Sequence, residues 1–255
     1  MYSDLVNRVS KSAIAKVHTL RSSKTKYFIS SILAGMYVGL GVFLIMTIGG
    51  VLHGAPATRI IMGVSFGVAL SLVIMAGSEL FTGNNFVMVI GAMEKSVTWL
   101  EALEIWIYSF IGNFIGSIFI AYLYLKTGLA KGAVSDFILK VSSAKMNAPT
   151  GELFFRGILC NILVCIAVLC YIKLKEETAK LIMIFWCLFA FITTGFEHSI
   201  ANMSLLSLGL FLPHDAMVSL WGLAHNLAPV TIGNFIGGGL ILGLAYWYKG
   251  HKIIK

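Results

Sequence analysis

The pattern of hydrophobic and polar positions divides the chain into long apolar runs separated by short charged loops. A helix needs about 20 apolar residues to cross a bilayer, so the pattern predicts six transmembrane helices and an all-α polytopic membrane protein. The runs that carry few or no charges are Tyr27–Leu52, Ile60–Met93, Ile105–Leu125, Gly157–Ile172, Leu181–Leu212 and Ala216–Tyr248.

Three of these runs are too long for one straight span. Ile60–Met93 has 34 residues, which as a single helix would be roughly 51 Å long against a hydrocarbon core of about 30 Å. Leu181–Leu212 and Ala216–Tyr248 have similar lengths. We therefore expect each of the three to be broken, tilted or partly outside the bilayer.

Composition excludes most soluble classes of protein. The 255 residues are 58% hydrophobic and 12% charged, with a mean hydropathy of +0.89, whereas a soluble domain carries about 25% charge. Disorder is excluded because it requires low hydrophobicity. The four cysteines lie inside apolar runs, without a CxxC pair or a histidine at ligand spacing. We therefore expect no metal site and no cofactor.

Lysine and arginine are unevenly divided between the two sides of the predicted bilayer. Six spans place 13 of these residues on the side of both termini and 6 on the other side. Since basic residues favour the cytoplasmic side, we expect both termini in the cytoplasm. We also expect the protein in the inner (plasma) membrane of a bacterium. The basic residues lie at segment ends and form no patch, so nucleic acid is not an expected partner.

Residues 1–26 predict an N-terminal element ahead of a six-span domain at 27–255. Their pattern is typical of a cytoplasmic amphipathic helix, either at the membrane surface or against the inner mouth of a pore, and we favour the surface position. Basic residues lie elsewhere on this helix, while its apolar positions share one face: Leu5, Val9, Ala13, Val17 and Leu20.

The sequence contains an internal repeat. The matches keep their order and define two halves, at about 27–125 and 153–248. Each half has three spans, an odd number, so the second half must enter the membrane from the opposite side, and the repeat is inverted. The matching segments are 111–116 (IGNFIG) with 232–237, 77–84 with 195–202 and, more weakly, 31–35 with 157–161.

The second and fifth helices are predicted to be broken, because the repeated glutamate motifs lie in the middle of two over-long runs. Gly77, Gly83 and Gly195 relax the backbone there. Broken backbone at membrane depth is tolerated only where protein or a water-filled cavity satisfies its amides. An inverted 3+3 repeat with broken helices is typical of a transport path near the bilayer midplane.

Few ionisable residues lie deep in the spans. Glu79 and Glu197 occupy equivalent repeat positions, and we expect their carboxylates to accept hydrogen bonds from amides freed at the breaks; a proton relay is the alternative. His198 is expected to line the pore, where it can titrate near physiological pH. By charge alone, Lys145 is a solvated loop residue. Interhelical hydrogen bonds are the expectation for the uncharged polar residues Thr82, Asn161 and Asn234.

Four segments in order resemble the signature blocks of the formate/nitrite transporter family: Met75–Gly83, Gly157–Ala167, Phe196–Met203 and Pro229–Gly238. Within that family the chain looks most like the clostridial hydrosulfide channels. The resemblance implies a homopentamer in which each protomer has an aquaporin-like fold and its own pore. It also implies small monovalent anions as substrates, such as formate, nitrite and hydrosulfide.

The resemblance further implies roles for individual residues. It places Lys145 close to the central chamber, which replaces the loop interpretation. It gives the break of the second span to Leu80, Phe81 and Thr82, with Leu80 also in a constriction, and the break of the fifth span to His198. It gives the outer hydrophobic constriction to Phe66, Leu70 and Phe191, and the inner one to Phe81 and Val164, with Asn161 and Asn234 near it.

The leading hypothesis is an anion channel in which the central histidine couples permeation to pH. A proton-coupled carrier of weak-acid anions is the alternative. A neutral-solute aquaporin would need Asn-Pro-Ala repeats, which the sequence lacks. A membrane-embedded enzyme subunit is disfavoured because the sequence has no HExxH, GxSxG or Gly-rich nucleotide motif, so we predict no enzymatic activity. A purely structural subunit is disfavoured by the intramembrane histidine.

Overall fold

The described part of the chain is entirely helical in the computed structural model, which describes residues 2–250. A π-helical segment, Ile236–Gly243, joins the last two helices. The α-helices are α1 (Tyr2–Ser22), α2 (Lys24–Val51), α3 (Thr58–Ser65), α4 (Gly67–Met75), α5 (Phe81–Met93), α6 (Trp99–Lys126), α7 (Ala133–Met146), α8 (Thr150–Lys173), α9 (Glu177–Thr194), α10 (Ser199–Phe211), α11 (Leu220–Phe235) and α12 (Leu244–Gly250).

Six helical stretches in residues 2–250 are long and apolar enough to cross a membrane, as the hydrophobic pattern predicts. Two shorter apolar helices, α5 and α10, continue the second and fifth stretches beyond a break. The six stretches are Lys24–Val51, Thr58–Met75, Trp99–Lys126, Thr150–Lys173, Glu177–Thr194 and Leu220–Gly250.

The breaks of the second and fifth spans fall at the glutamate motifs, as predicted. Residues 76–80 separate α4 from α5, and residues 195–198 separate α9 from α10. Gly77 and Gly195 have φ angles of +72° and +84°. An L residue with a Cβ rarely adopts this left-handed conformation, so glycine is needed at both positions.

The third over-long run remains continuous helix. Its helical part begins at Leu220 and contains Pro229, which cannot donate a backbone hydrogen bond. The π-helical segment Ile236–Gly243 follows without a loop. A change of helix type therefore accommodates this run, without the extended break seen in the other two.

The repeated IGNFIG segments bring equivalent helices into close contact in the two halves. A Cβ on Gly116 would lie 2.0 Å from the carbonyl oxygen of Ile32, and a Cβ on Gly237 would lie 2.2 Å from that of Ile158. Both distances are shorter than any real contact, so only glycine permits these approaches between α2 and α6 and between α8 and the last span. Small residues have this role at many transmembrane interfaces.

The N-terminal helix packs on the six-span body through its apolar face. The five apolar residues of its predicted face are all buried, with Val9 and Ala13 fully inaccessible. They form one hydrophobic cluster with residues of α5, α6 and α8. The helix ends at Ser22 and α2 begins at Lys24, so the first span starts three residues before the apolar run.

Candidate functional site

The N-terminal ends of α5 and α10 meet at the centre of the fold. Thr82 is the second residue of α5, and His198 is the N-cap of α10. Thr82 Oγ1 and His198 Nε2 are 2.9 Å apart and both residues are buried. Because a helix N-terminus carries a partial positive charge, the two half-helices direct positive potential at one buried point.

The backbone of α10 determines the protonation pattern of the neutral His198 ring. The amide of Ala201 donates a hydrogen bond to His198 Nδ1 over 3.1 Å. Nδ1 is therefore an acceptor, which places the proton of the neutral imidazole on Nε2, facing Thr82. A second proton on the ring would have to displace this helix cap.

A small apolar cavity adjoins His198. Its volume is about 10 Å³, room for roughly one water molecule. The Phe66 and Phe191 rings meet edge-to-face with centroids 5.6 Å apart, and the Phe191 ring stacks on the imidazole at 5.9 Å. The structure brings together here most of the residues expected in the constrictions, namely Phe66, Leu70, Leu80, Val164 and Phe191.

A second and larger cavity, of about 220 Å³, opens on the side of the N-terminal helix. Leu70 and Leu80 line both cavities and so form the wall between them. Phe81, expected in the inner constriction, lines neither cavity. Its ring packs edge-to-face on Phe110, with centroids 5.1 Å apart.

Glu79 accepts hydrogen bonds from side chains, and the expected bonds from freed backbone amides are absent among residues 2–250. Lys16 Nζ of the N-terminal helix lies 2.7 Å from Glu79 Oε2. The Tyr27 hydroxyl and the Asn84 amide donate to the same oxygen over 3.0 and 3.3 Å. The carboxylate is thus the centre of an ion-paired network at the larger cavity.

Glu197 has an equivalent network on the opposite side of the fold. Lys145 Nζ lies 2.7 Å from Glu197 Oε2, and the Asn202 amide donates to that oxygen over 2.6 Å. Asn202 also donates to Asn226 Oδ1, and Asn226 donates to the backbone carbonyl of Lys145. Lys145 lies in the last turn of α7 and forms an ion pair with a buried carboxylate. It is therefore not a solvated loop residue, as its charge alone suggested.

The amides freed at the breaks are satisfied by two asparagines that occupy the same place in each repeat. Asn113 Oδ1 accepts from the Phe81 amide, and Asn234 Oδ1 accepts from the Ser199 amide, each over 2.9 Å. Each Nδ2 group donates to two backbone carbonyls, one of them that of the glutamate in the break. Asn161 donates to the carbonyls of Asn234 and Thr82.

Replacing Asn113 by alanine should strongly destabilise the protein. The change leaves a buried amide and two buried carbonyls without their partner, at about 1–3 kcal/mol each. Asn234→Ala should have a similar effect because its bonds are equivalent. The measurement is the melting temperature of the detergent-purified protein, with Asn147→Ala as the control, since Asn147 also bonds two carbonyls but is exposed. A melting temperature of Asn113→Ala equal to that of Asn147→Ala would contradict this role.

Sequence reasoning missed several residues of the site. Asn113 was available, because it lies inside the repeated IGNFIG segment at the position equivalent to Asn234. Asn84 and Asn202 likewise end the repeated glutamate motif. Nothing in the sequence pointed to Lys16. It lies in α1, and no sequence match relates α1 to α7, which contains the equivalent residue Lys145.

The fold and site define a polytopic membrane transport protein with an inverted repeat and a buried polar centre between apolar walls. Comparisons with known proteins agree. The sequence model of the formate/nitrite transporter family matches residues 3–248. The nitrite transporter NirC of Escherichia coli is 42% identical over 254 residues, covering 99% of this chain and 94% of NirC.

Two solved structures are also similar. One, described as an FNT family ion channel, has a TM-score of 0.92 and 40% identity and covers 96% of this chain and 98% of its own. The other, a pentameric formate channel with formate bound, has a TM-score of 0.79 and 28% identity, over 90% of this chain and 98% of its own. The chain belongs to the formate/nitrite transporter family. It is a transport protein and not an enzyme.

Proposed function

We propose that the protein passes small monovalent anions of the formate, nitrite and hydrosulfide class through a pore in each protomer. The observation that carries the proposal is the meeting of two helix N-termini at Thr82 and His198. Partial positive charge at both ends stabilises an anion there. A hydroxyl and an imidazole N–H supply hydrogen-bond donors where water is excluded.

Apolar walls on both sides of this centre support selection for small, weakly hydrated ions. Phe66 and Phe191 close one side, and Leu70 and Leu80 separate the centre from the larger cavity. An ion must shed most of its water to pass such a constriction. Lys145 is paired with Glu197, the residue next to His198, and this pairing keeps the carboxylate from repelling an anion at the centre.

His198 is proposed to couple permeation to pH. In the neutral ring Nε2 donates and Nδ1 accepts from Ala201. Protonation would turn Nδ1 into a donor, break the cap of α10 and add a positive charge beside the pore. The same event would let the ring supply a proton to a weak-acid anion, which then crosses the apolar wall as a neutral molecule. Conductance and proton supply therefore depend on one side chain.

The permeating anions are proposed from the named relatives and from the family resemblance of the sequence together. One relative is named a nitrite transporter and one solved neighbour holds formate, while the small basic chain looks most like the hydrosulfide branch. Each of these ions has one negative charge and is the conjugate base of a weak acid. We propose that all three permeate.

Flux into liposomes that contain only the purified protein tests this function. Formate, nitrite, hydrosulfide and chloride are compared at a clamped membrane potential, with protein-free liposomes as the control. A channel that passes the charged anion should show flux that reverses with the potential. A route in which the anion crosses as a neutral acid should exclude chloride, which is not protonated in water. Flux that ignores the potential would favour the proton-coupled carrier. Flux no greater than in protein-free liposomes would refute both.

The working form is proposed to be a homopentamer in the inner membrane of a bacterium, with both termini in the cytoplasm. The 13-to-6 division of basic residues supports this orientation, and a solved neighbour is a pentamer. A single cysteine introduced at Ser3, in a background without the four native cysteines, should resist an impermeant thiol reagent applied outside intact cells. Labelling from outside would refute the orientation, and cross-linking that saturates at dimers would refute the pentamer.

A further inference from the structure

A basic cavity lies where the N-terminal helix crosses the ends of the fourth and sixth spans. Its volume is about 310 Å³. Arg8 and Asp4 of α1, Lys173 and Lys175 at the end of α8, and Tyr246 of α12 surround it. The cavity is separate from the 220 Å³ cavity at Glu79, because none of residues 2–250 lines both.

The charge of this cavity is unbalanced. Among the described residues that line it, three cationic side chains face one carboxylate, that of Asp4. Within residues 2–250, no carboxylate oxygen lies within 4.0 Å of a charged nitrogen of Arg8, Lys173 or Lys175. Arg8 Nη1 donates to the carbonyl oxygen of Lys173 over 3.1 Å, which orients the guanidinium and leaves its other N–H groups as donors. The cavity is therefore suited to a phosphate-bearing group.

The depth of the cavity and its inner wall indicate where that group comes from. Lys173 is the last residue of the fourth span, and the sixth span ends at Gly250, four residues beyond Tyr246. Both positions are at the level of the lipid headgroups, where tyrosine is enriched. Leu5 and Leu169, both buried, supply apolar surface within the cavity. A group bound at this level has the bilayer beside it, so its phosphate comes from a lipid headgroup whose acyl chains continue into the membrane.

We propose that this cavity binds the headgroup of an anionic phospholipid. Basic pockets at the cytoplasmic ends of transmembrane helices recognise such headgroups. The bound lipid would link α1 to α8 through Arg8 and Lys173. Lys16, on the same helix as Arg8, is paired with Glu79 at the 220 Å³ cavity. The lipid would therefore hold the N-terminal helix in its place over that cavity.

Lipid binding and melting temperature of the purified full-length protein test the proposal without measuring transport. The protein in a neutral detergent is titrated with phosphatidylglycerol or phosphatidylcholine, and bound lipid is counted by native mass spectrometry. Phosphatidylglycerol should bind and raise the melting temperature, and phosphatidylcholine should do neither. The double variant Lys173→Gln/Lys175→Gln should bind phosphatidylglycerol about 30-fold more weakly, the loss expected for two basic contacts.

Two matched variants separate this site from a general charge effect. Lys131→Gln/Lys140→Gln makes the same charge change at the opposite ends of the spans, on two exposed lysines, and should bind like the unchanged protein. Lys173→Arg/Lys175→Arg keeps the charge and should also bind. Equal loss in the Lys131/Lys140 variant, or full binding by the glutamine variant at 173 and 175, would overturn the proposal.

The remaining outcomes decide between a lipid and other occupants. Inorganic phosphate at matched ionic strength should not raise the melting temperature, and an equal rise would show a free-anion site instead. Loss of the oligomer in the Lys173→Gln/Lys175→Gln variant would show that the cavity is an interface between copies of the chain. Since none of these measurements depends on ion flux, failure of the lipid site and failure of the proposed transport function are distinguishable.

Discussion

Replacing His198 by asparagine is expected to leave a conducting protein whose anion flux no longer changes with pH. Asparagine is among the best N-cap residues, so its side-chain oxygen takes over the hydrogen bond from the Ala201 amide while its NH₂ group remains a donor. It has no proton to gain or lose in the physiological range. The measurement is formate flux into liposomes between about pH 5 and pH 8, the range in which histidine titrates.

Two further variants control for packing and for the hydrogen bond at Nε2. Thr82→Val removes the hydroxyl partner of His198 but keeps the ring, so the flux should fall and the pH response should remain. His198→Phe should lose the pH response together with the helix cap, whose removal costs about 1 kcal/mol. If His198→Asn kept the full pH profile of the unchanged protein, His198 would be only a polar wall residue.

Reversing the charge of Lys145 is expected to reduce anion flux at least about tenfold, a change of about 1.4 kcal/mol in the barrier. Lys145 neutralises the buried carboxylate of Glu197, which adjoins His198 in the chain. In Lys145→Glu, two carboxylates would lie together beside the anion path, and both would repel a permeating anion. The flux of formate into liposomes at constant pH measures the effect.

Lys140 provides the matched control for this change. It lies on the same helix, is exposed and makes no ion pair among the described residues, so Lys140→Glu should leave flux unchanged. Because Lys145→Glu also breaks a partly buried pair, its oligomer must be checked by size-exclusion chromatography. Should it lose the oligomer, Lys145→Gln combined with Glu197→Gln keeps a neutral, hydrogen-bonded pair and should still conduct less. Unchanged flux in an intact variant would show that Lys145 has only a structural role.

The sequence by itself determined the six spans, the two breaks and the inverted repeat. These features follow from local quantities: the length of each apolar run against the bilayer thickness, and the positions of Gly77 and Gly195 in over-long runs. The inverted repeat follows from short matching segments, one of which is identical in the two halves. The two copies of that segment pack in equivalent ways. No knowledge of distant contacts is required for any of them.

Which polar groups meet was decided by the tertiary structure. Lys16 and Glu79 are 63 positions apart in the sequence, and Lys145 and Glu197 are 52 positions apart. Neither separation produces a periodic pattern from which the pair could be predicted. The sequence placed His198 at a break, but only the structure shows that its Nδ1 atom accepts the capping hydrogen bond at the N-terminus of α10. In the same way, Phe81 belongs to the broken segment by sequence, and its contact with Phe110 turns it away from the cavity. Pairings of this kind depend on the relative position of whole helices, which is set by packing across the fold and not by any one segment.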